Sequence, residues 1–238
     1  KHKWLSKKEL ERIAPELNNN KLIGGFRFSD GQMDDYKLGI WVATQAKNSG
    51  VNIINNTIVE KIELDGNIII NGLKEKYDYI INTCGPWAYE LLNNSELKGN
   101  YRLDLIRGSH ILFDGELSQP YFLQAEIDGR IFFVLPYNGK TLVGTTEVRQ
   151  NLSDPITPSD KEIEYLINEY NQYFLKQKSQ ADIVEKFAGL RPLILSSDNP
   201  NKITREYKIE KMGKILNVYG GKWTTAMSLG RKITKMIL

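Results

Sequence analysis

Apolar residues at helical spacing and N-cap residues together predict four helices. Ser6 opens a capping-box pattern with the glutamate three residues later, and Ser159 opens another. Asp34 is the predicted N-cap of a further helix that ends near residue 47. The same spacing predicts the buried stripes: Leu10, Ile13, Ala14 and Leu17 after Ser6; Ile163, Leu166, Ile167, Tyr170 and Phe174 after Ser159; and Trp223, Ala226, Met227, Ile233 and Met236 in the last helix.

Short apolar or alternating runs predict strands, many of them joined by turn dipeptides. Asp65-Gly66 and Asn71-Gly72 predict a small antiparallel meander. Two later turns, Asp128-Gly129 and Asn138-Gly139, join three strands into a second antiparallel sheet. The compact run 79–84 ends at a glycine, as buried parallel strands often do. The predicted strands cover 24–29, 51–54, 58–62, 67–70, 74–77, 79–84, 108–113, 121–126, 130–136, 141–146 and 214–219.

Two sets of elements therefore alternate along the chain. One set combines buried strands with helices, as in part of a Rossmann-like nucleotide-binding layer. The other, from about residue 102 to 187, is an antiparallel sheet with a helix over it. The pattern predicts a mixed α/β fold, with α+β character, in which the two layers interleave in sequence rather than follow one another.

Composition narrows the class of protein. The 238 residues are 41% hydrophobic and 26% charged, which is typical of a soluble globular protein. The formal net charge of +3 is too small to indicate a nucleic-acid partner. A single cysteine, Cys84, excludes a disulfide within the chain, and it does not form a zinc-site pattern with the two histidines. No apolar run is long enough for a membrane span and no signal-peptide core occurs, so a cytoplasmic location is expected.

The stretch 217–225, NVYGGKWTT, is the clearest candidate site. An apolar strand runs into two glycines and a lysine, and a helical pattern follows. The glycines permit close backbone approach or positive φ, and the free N–H groups at a helix start favour an anion. A plain turn before a helix capped by Thr224 or Thr225 accounts for the same residues, and the local sequence leaves both interpretations open.

Other segments carry chemistry-bearing residues with equally open interpretations. Gly85 ends a buried strand where open α/β sheets bind ligands, but a strand–turn–helix junction also explains it. Arg191 lies in an apolar setting, so it is expected to pair with a carboxylate or to receive an anion. Arg205 is either a second anion-binding residue or an exposed strand residue. His110 is a candidate proton acceptor, although a lone histidine more often has a structural role.

Taken in order, eight motifs resemble the FAD-dependent glycerol-3-phosphate dehydrogenases, a family within the D-amino-acid-oxidase-like flavoproteins. Each motif is weak alone, and the set is specific because all eight are in register from about residue 22 to the end. The motifs are GGFRFSDGQMDD (24–35), INTCGPW (81–87), RGSHI (107–111), GRIFFVLPY (129–137), LVGTTE (142–147), FAGLRPL (187–193), ITREY (203–207) and YGGKWTT (219–225).

The resemblance implies a FAD-binding domain interleaved with a substrate-binding sheet. It assigns 1–35 and 101–187 to the substrate domain, and 36–100 and 188–238 to the FAD-binding domain. The residues implied to lie near FAD are Thr57, Ile58, Thr83, Gly85, Trp87, Gly220, Gly221, Lys222, Trp223 and Thr224. The residues implied to approach the substrate are His110, Arg191, Arg205, Lys222 and Thr224, with His110, Arg191 and Lys222 as the catalytic set.

The reaction implied by the resemblance is oxidation of sn-glycerol 3-phosphate to dihydroxyacetone phosphate. Two arginines and a lysine suit a phosphate dianion better than a carboxylate, which one arginine can bind. His110 or a water molecule would take the hydroxyl proton, and Lys222 would stabilise negative charge on the reduced flavin. Two alternatives remain open: another amine, amino-acid or hydroxy-acid oxidase of the superfamily, and a non-catalytic module that binds a phosphorylated metabolite.

The sequence departs from the family pattern in one respect that concerns the cofactor. The family pattern opens with a strand, a G-x-G-x-x-G turn and a helix that bind the FAD pyrophosphate, and this sequence contains no G-x-G-x-x-G. We therefore expect a fragment that binds FAD weakly or not at all and is inactive alone. Quinone-reducing relatives imply that quinone is one candidate electron acceptor. They also imply an alternative location, in which the intact enzyme associates peripherally with the cytoplasmic membrane. No metal is expected.

Overall fold

The structure of the protein is a computed structural model, which describes residues 2–20, 22–195, 203–204 and 206–238. None of the helices in this part of the chain combines the length and apolar character that a membrane span requires. The α-helices are α1 (Lys7–Ile13), α2 (Asp35–Asn48), α3 (Ala88–Asn94), α4 (Asp160–Tyr173) and α5 (Ala226–Ile237), with short 3-10 turns at Gly85–Trp87, Gln180–Asp182 and Trp223–Thr225.

Strands make up the rest of the regular structure, and the predicted mixed α/β fold is confirmed. The strands are β1 (Lys3–Ser6), β2 (Gly24–Arg27), β3 (Val59–Ile62), β4 (Asn67–Ile70), β5 (Leu73–Lys76), β6 (Ile80–Asn82), β7 (Leu103–Asp114), β8 (Tyr121–Gln124), β9 (Ile131–Tyr137), β10 (Lys140–Gly144), β11 (Val148–Arg149), β12 (Ile183–Leu195), β13 (Ile203–Thr204), β14 (Lys208–Met212) and β15 (Ile215–Tyr219).

Side chains cap the helices where the sequence predicts. The Ser6 hydroxyl accepts a hydrogen bond from the backbone N–H of Glu9, and the Glu9 carboxylate accepts one from the N–H of Ser6. The same reciprocal pair forms at the start of α4. Asp34 accepts a hydrogen bond from the N–H of Lys37 at the start of α2. These bonds satisfy backbone donors that a helix start leaves without an intrahelical partner.

The chain divides into two compact units. Unit 1 comprises Lys1–Gly31, Arg107–Gln150 and Asp154–Leu190. Unit 2 comprises Gln32–Ile106, Asn151–Ser153 and Arg191–Leu238.

Unit 1 is built on an antiparallel sheet. Strand β10 pairs with β7 on one side and with β9 on the other, β8 pairs with β9, and β12 is the other neighbour of β7. One face of this sheet packs against α4 and forms the core, so the predicted stripe of that helix is confirmed. The buried core includes Ile111, Phe113, Phe132, Val134 and Val143 from the sheet, with Ile163, Leu166, Tyr170 and Phe174 from the α4 segment.

Unit 2 is centred on β15, which lies between antiparallel β14 and parallel β6. All five residues of β15 are buried, because helices cover both of its faces. Ile215 and Tyr219 belong to an apolar cluster with residues of α3, whereas Leu216 and Val218 cluster with Ile233 of α5. Beside this sheet, β3, β4 and β5 form the antiparallel meander that the two turn dipeptides predict.

Two local predictions are wrong. Residues 51–54 are not a strand, and their side chains are exposed, because apolar propensity alone does not provide a hydrogen-bonded neighbour. In the last helical segment, Trp223 of the 3-10 turn and Met227 and Met236 of α5 are exposed, because the face that packs on β15 is centred on Ile233. The pattern also fails to predict β1, β11, β12 and β14.

Candidate active site

Two glycine turns leave the same edge of the parallel strand pair in unit 2. Asn82 of β6 pairs in register with Asn217 of β15, and Gly85 and Gly220 each stand three positions later, from 82 to 85 and from 217 to 220. Both glycines lie in the left-handed region, with φ of +57° at Gly85 and +66° at Gly220. The carboxyl ends of parallel strands are where open α/β sheets bind ligands.

A buried pair of asparagine side chains holds these strand ends. The side-chain nitrogen of Asn82 donates to the side-chain oxygen of Asn217 at 2.9 Å. The side-chain oxygen of Asn82 accepts from the backbone N–H of Cys84 at 3.2 Å, which ties it to the turn that contains Gly85. The sequence prediction includes neither asparagine among its site residues. The available signal was an amide inside each apolar strand, because a buried amide requires hydrogen-bond partners.

The turn at Gly85 opens toward free space. A Cβ atom placed on Gly85 would meet no atom within 4 Å, so its positive φ, and not crowding, favours glycine here. The 3-10 turn that begins at this glycine contains Pro86 and ends at Trp87, whose side chain is 49% exposed. Thr83 is also exposed. This turn therefore leaves the Gly85 backbone and the Trp87 indole ring accessible.

The turn at Gly220 leads into a helix start that no side chain caps. Gly221 also has positive φ, and the exposed Lys222 follows. The Thr225 hydroxyl donates to the carbonyl of Lys222 at 3.1 Å, and neither Thr224 nor Thr225 caps the helix, so the interpretation as a threonine-capped helix is wrong. Uncapped N–H groups beside a lysine suit an anion or an electron-rich ring edge.

Trp223 connects this turn to α2. Its indole N–H donates to the backbone carbonyl of Asp35 at 3.2 Å, and its ring remains 38% exposed. Thr57, which precedes β3, donates its hydroxyl to the carbonyl of Asn55 at 3.1 Å, and the neighbouring Ile58 is exposed. These residues belong to unit 2, and each retains exposed surface for a ligand.

The two predicted anion-binding arginines differ in how far the structure describes them. Arg191 lies on β12, half-buried, in unit 2. Arg205 lies outside the described residues.

His110 belongs to unit 1, where it lies on β7. Its imidazole stacks on the ring of Phe187 from β12, with 4.9 Å between ring centroids and an angle of 14° between planes. Across the sheet, His110 pairs with Gly144 of β10. Neither Phe187 nor Gly144 was predicted as an individual site residue, although both lie in quoted motifs. An isolated sequence gives no sign of which aromatic residue faces a histidine across a sheet.

A buried carboxylate supports the strand that carries His110. Glu162 of α4 accepts hydrogen bonds from the hydroxyls of Ser109 at 2.8 Å and Thr146 at 2.6 Å, and from the guanidinium of Arg107 at 2.6 Å. Burial alone would raise the pKa of Glu162, but the bonds from Thr146, Ser159 and Arg107 outweigh it and lower this pKa to about 2. The carboxylate is therefore charged at neutral pH and joins α4 to β7.

Comparisons with known proteins agree with this arrangement of strands and turns. A family model described as FAD dependent oxidoreductase matches residues 1–236. The aerobic glycerol-3-phosphate dehydrogenase of Staphylococcus aureus (strain USA300) is 32% identical over 254 aligned positions, which cover 99% of this chain and 45% of that protein. The chain thus spans less than half the length of this curated relative.

Solved structures share the fold. The glycerol-3-phosphate dehydrogenase from Bacillus halodurans, complexed with FAD, superposes with a TM-score of 0.85 at 23% identity and covers 100% of this chain and 51% of that one. The L-alpha-glycerophosphate oxidase from Mycoplasma pneumoniae, with FAD bound, gives a TM-score of 0.76 at 19% identity and covers 99% and 64%. Because the family model spans nearly the whole chain, the chain belongs to the FAD-dependent oxidoreductase family.

Proposed function

We propose that this chain is the substrate-binding part and a portion of the FAD-binding part of an enzyme that oxidises sn-glycerol 3-phosphate to dihydroxyacetone phosphate. The observation that carries the proposal is the pair of positive-φ glycine turns at the carboxyl ends of β6 and β15, followed by an uncapped helix start with exposed Lys222. The 32% identity to an aerobic glycerol-3-phosphate dehydrogenase supports this substrate over others.

The described residues of unit 2 fit part of a flavin cofactor. Open space in front of Gly85 leaves room for a ligand against the backbone, and Trp87 and Trp223 expose planar apolar surface. The positive charge of Lys222 and the uncapped N–H groups after it suit a ring that gains negative charge. When bound, the flavin would accept a hydride from C2 of the substrate. We propose that Thr57, Ile58, Thr83, Gly220, Gly221 and Thr224 complete the contacts with the cofactor.

The residues proposed to contact the substrate have two roles: some bind its phosphate, and one accepts its hydroxyl proton. Arg191, Arg205 and Lys222 supply positive charge for the phosphate dianion, and guanidinium groups match phosphate oxygens in pairs. Thr224 offers a hydroxyl for hydrogen bonding. His110 accepts the proton of the C2 hydroxyl, directly or through water, because imidazole exchanges protons near neutral pH. Quinone is the proposed electron acceptor, and membrane association would be peripheral.

The test combines flavin reduction with ligand binding. The intact enzyme that contains this chain is purified with FAD bound, and flavin absorbance is followed after addition of sn-glycerol 3-phosphate or glycine. We expect bleaching with the phosphate ester only, and roughly hundredfold slower bleaching in Lys222→Met, because one preorganised charge at the reacting centre is lost. Lys235→Met, which removes an exposed lysine from the last turn of α5, is the matched control and should react like the wild type.

Three results contradict the proposal, each in favour of a named alternative. Bleaching with glycine at the same rate would favour an amino-acid oxidase. Calorimetric binding of sn-glycerol 3-phosphate without any flavin binding would favour a module that binds phosphorylated metabolites. An unchanged rate of flavin bleaching in Lys222→Met would show that the Gly220 turn does not belong to the active site.

A further inference from the structure

The imidazole of His110 lies on the face of the unit 1 sheet opposite the core. Its neighbours Ser109 and Ile111 are fully buried; Ser109 bonds to Glu162 of α4, and Ile111 belongs to the core cluster. Because side chains alternate along a strand, His110 points to the other face. Its side chain there is only partly buried. The χ2 torsion of a histidine is intrinsically broad, which gives the plane of the ring freedom unless contacts fix it.

Two contacts restrict that freedom. Phe187 stacks on the imidazole with nearly parallel planes, at a centroid distance of 4.9 Å. Gly144 approaches from β10 so closely that a Cβ atom there would lie 2.1 Å from Cδ2 of His110 and 2.8 Å from both Cγ and Nε2. The ring therefore rests directly against the backbone of β10, at a point where only glycine leaves room for it.

We propose that Phe187 is a positioning residue, which fixes the plane of the His110 imidazole for proton transfer while Gly144 provides the space that this orientation requires. The proposal rests on the proposed function, in which His110 accepts the substrate hydroxyl proton. A general base acts only when its nitrogen is within hydrogen-bond reach of that proton, and a displacement of about 1 Å can lower the rate roughly hundredfold. A flat aromatic partner holds the ring plane without competing for its nitrogens.

The composition of the chain makes the orientation directly measurable. His2 and His110 are the two histidines, so a histidine-labelled chain gives two sets of imidazole NMR signals, and His110→Gln identifies the one of interest. A proton above the plane of a phenyl ring is shifted upfield, so the His110 ring protons report the stack. The ring nitrogen shifts report the ratio of the two neutral tautomers.

The experiment compares Phe187→Leu, Phe187→Tyr and the control Phe122→Leu with the wild type. Phe122 is also an exposed phenylalanine on this sheet, but its ring packs against Phe28 and Phe133. We expect Phe187→Leu to lose the upfield shift and to change the tautomer ratio, whereas Phe187→Tyr and Phe122→Leu keep the wild-type values. Gly144→Ala should also displace the ring, because the new methyl group would occupy its position.

Two results would overturn the positioning role: unchanged His110 signals in Phe187→Leu, or a Phe187→Tyr spectrum that resembles Phe187→Leu. Addition of sn-glycerol 3-phosphate separates this inference from the proposed function. A shift of the wild-type His110 signals that is reduced in Phe187→Leu supports both. A wild-type chain whose His110 signals do not respond contradicts the assignment of His110 to the substrate, while the ligand-free spectra still decide whether Phe187 orients the ring.

Discussion

Asn82 and Asn217 form a side-chain hydrogen bond of 2.9 Å between two neighbouring parallel strands, and both residues are buried, with 2% and 0% of their surface exposed. Each stands three positions before a positive-φ glycine, Gly85 or Gly220. A one-residue slip of β6 against β15 would separate the two amides inside an apolar core, and buried amides without partners are unfavourable. The pair therefore fixes the register in which the two turns leave the sheet.

The first prediction concerns the free energy of unfolding. Asn217→Ala removes the nearer of the two acceptors of the Asn82 side-chain nitrogen, the other being the Ala88 carbonyl at 3.4 Å, and should destabilise unit 2 by about 1–3 kcal/mol, because a buried N–H loses its partner. Urea unfolding followed by circular dichroism measures the change. Asn52→Ala, at an exposed position in the same unit, is the control and should change stability by less than about 0.5 kcal/mol. Equal effects of the two variants would show that the pair does not stabilise the strand ends.

The second prediction separates backbone conformation from space at Gly85. Gly85→Ala should lower stability by about 1–2 kcal/mol although the site has room for a methyl group, because the left-handed region disfavours residues with a Cβ. Gly85→Asn should be less destabilising, since asparagine tolerates this region. Gly31→Ala, where a Cβ would also meet nothing and φ is not positive, is the control. Thermal unfolding gives the order of stability of the variants. Equal stability of Gly85→Ala and Gly85→Asn would contradict the view that positive φ favours glycine here.

The third prediction concerns the residue immediately before the Gly220 turn. The buried hydroxyl of Tyr219 donates to Glu210 at 2.8 Å, and the backbone N–H of Asn100 donates to the other oxygen of that carboxylate at 2.9 Å. Burial, followed by this bond, raises the pKa of the Tyr219 hydroxyl. Tyr219→Phe should therefore cost about 1–3 kcal/mol, measured by urea unfolding, because it leaves a buried carboxylate oxygen with one donor fewer.

Tyr101→Phe is the matched control for Tyr219→Phe. Its ring packs on Tyr219 at a centroid distance of 5.6 Å, so it shares the apolar surroundings without bonding to Glu210. A loss in Tyr101→Phe as large as in Tyr219→Phe would show that removal of any hydroxyl from this cluster, and not loss of the bond to Glu210, accounts for the effect.

The sequence predicts well those elements whose signals are local. The capping boxes at Ser6 and Ser159 involve residues three positions apart, and the turns of the meander depend on adjacent residues. The strand β12 was not predicted, because Arg191-Pro192 interrupts its apolar run. Its pairing with β7 also joins residues far apart in sequence. Local pattern contains no information about such pairing.

The candidate site shows the same limit. Gly85 and Gly220 stand at the ends of recognisable apolar strands, so the sequence identifies each of them separately. The contacts that organise them, such as Asn82 with Asn217, connect residues 135 positions apart. The stack of Phe187 on His110 likewise depends on which strands are neighbours in the sheet. These relationships arise from tertiary packing, which one sequence without its fold does not specify.

The fourth prediction concerns acid stability. The folded pKa of Glu162 is about 2, below its ordinary 4.5, so its contribution to stability is fully present above about pH 4.5 and is lost as pH falls toward 2. Glu162→Gln should lower stability at neutral pH by about 3–5 kcal/mol, because it leaves the largely buried Arg107 without its carboxylate, and should weaken the acid dependence. Urea unfolding at about pH 7 and about pH 3 measures both effects.

Glu164→Gln makes the same charge change at an exposed position of α4 and should keep the wild-type acid dependence. A Glu162→Gln chain as acid-sensitive as the wild type would show that another carboxylate controls unfolding in acid.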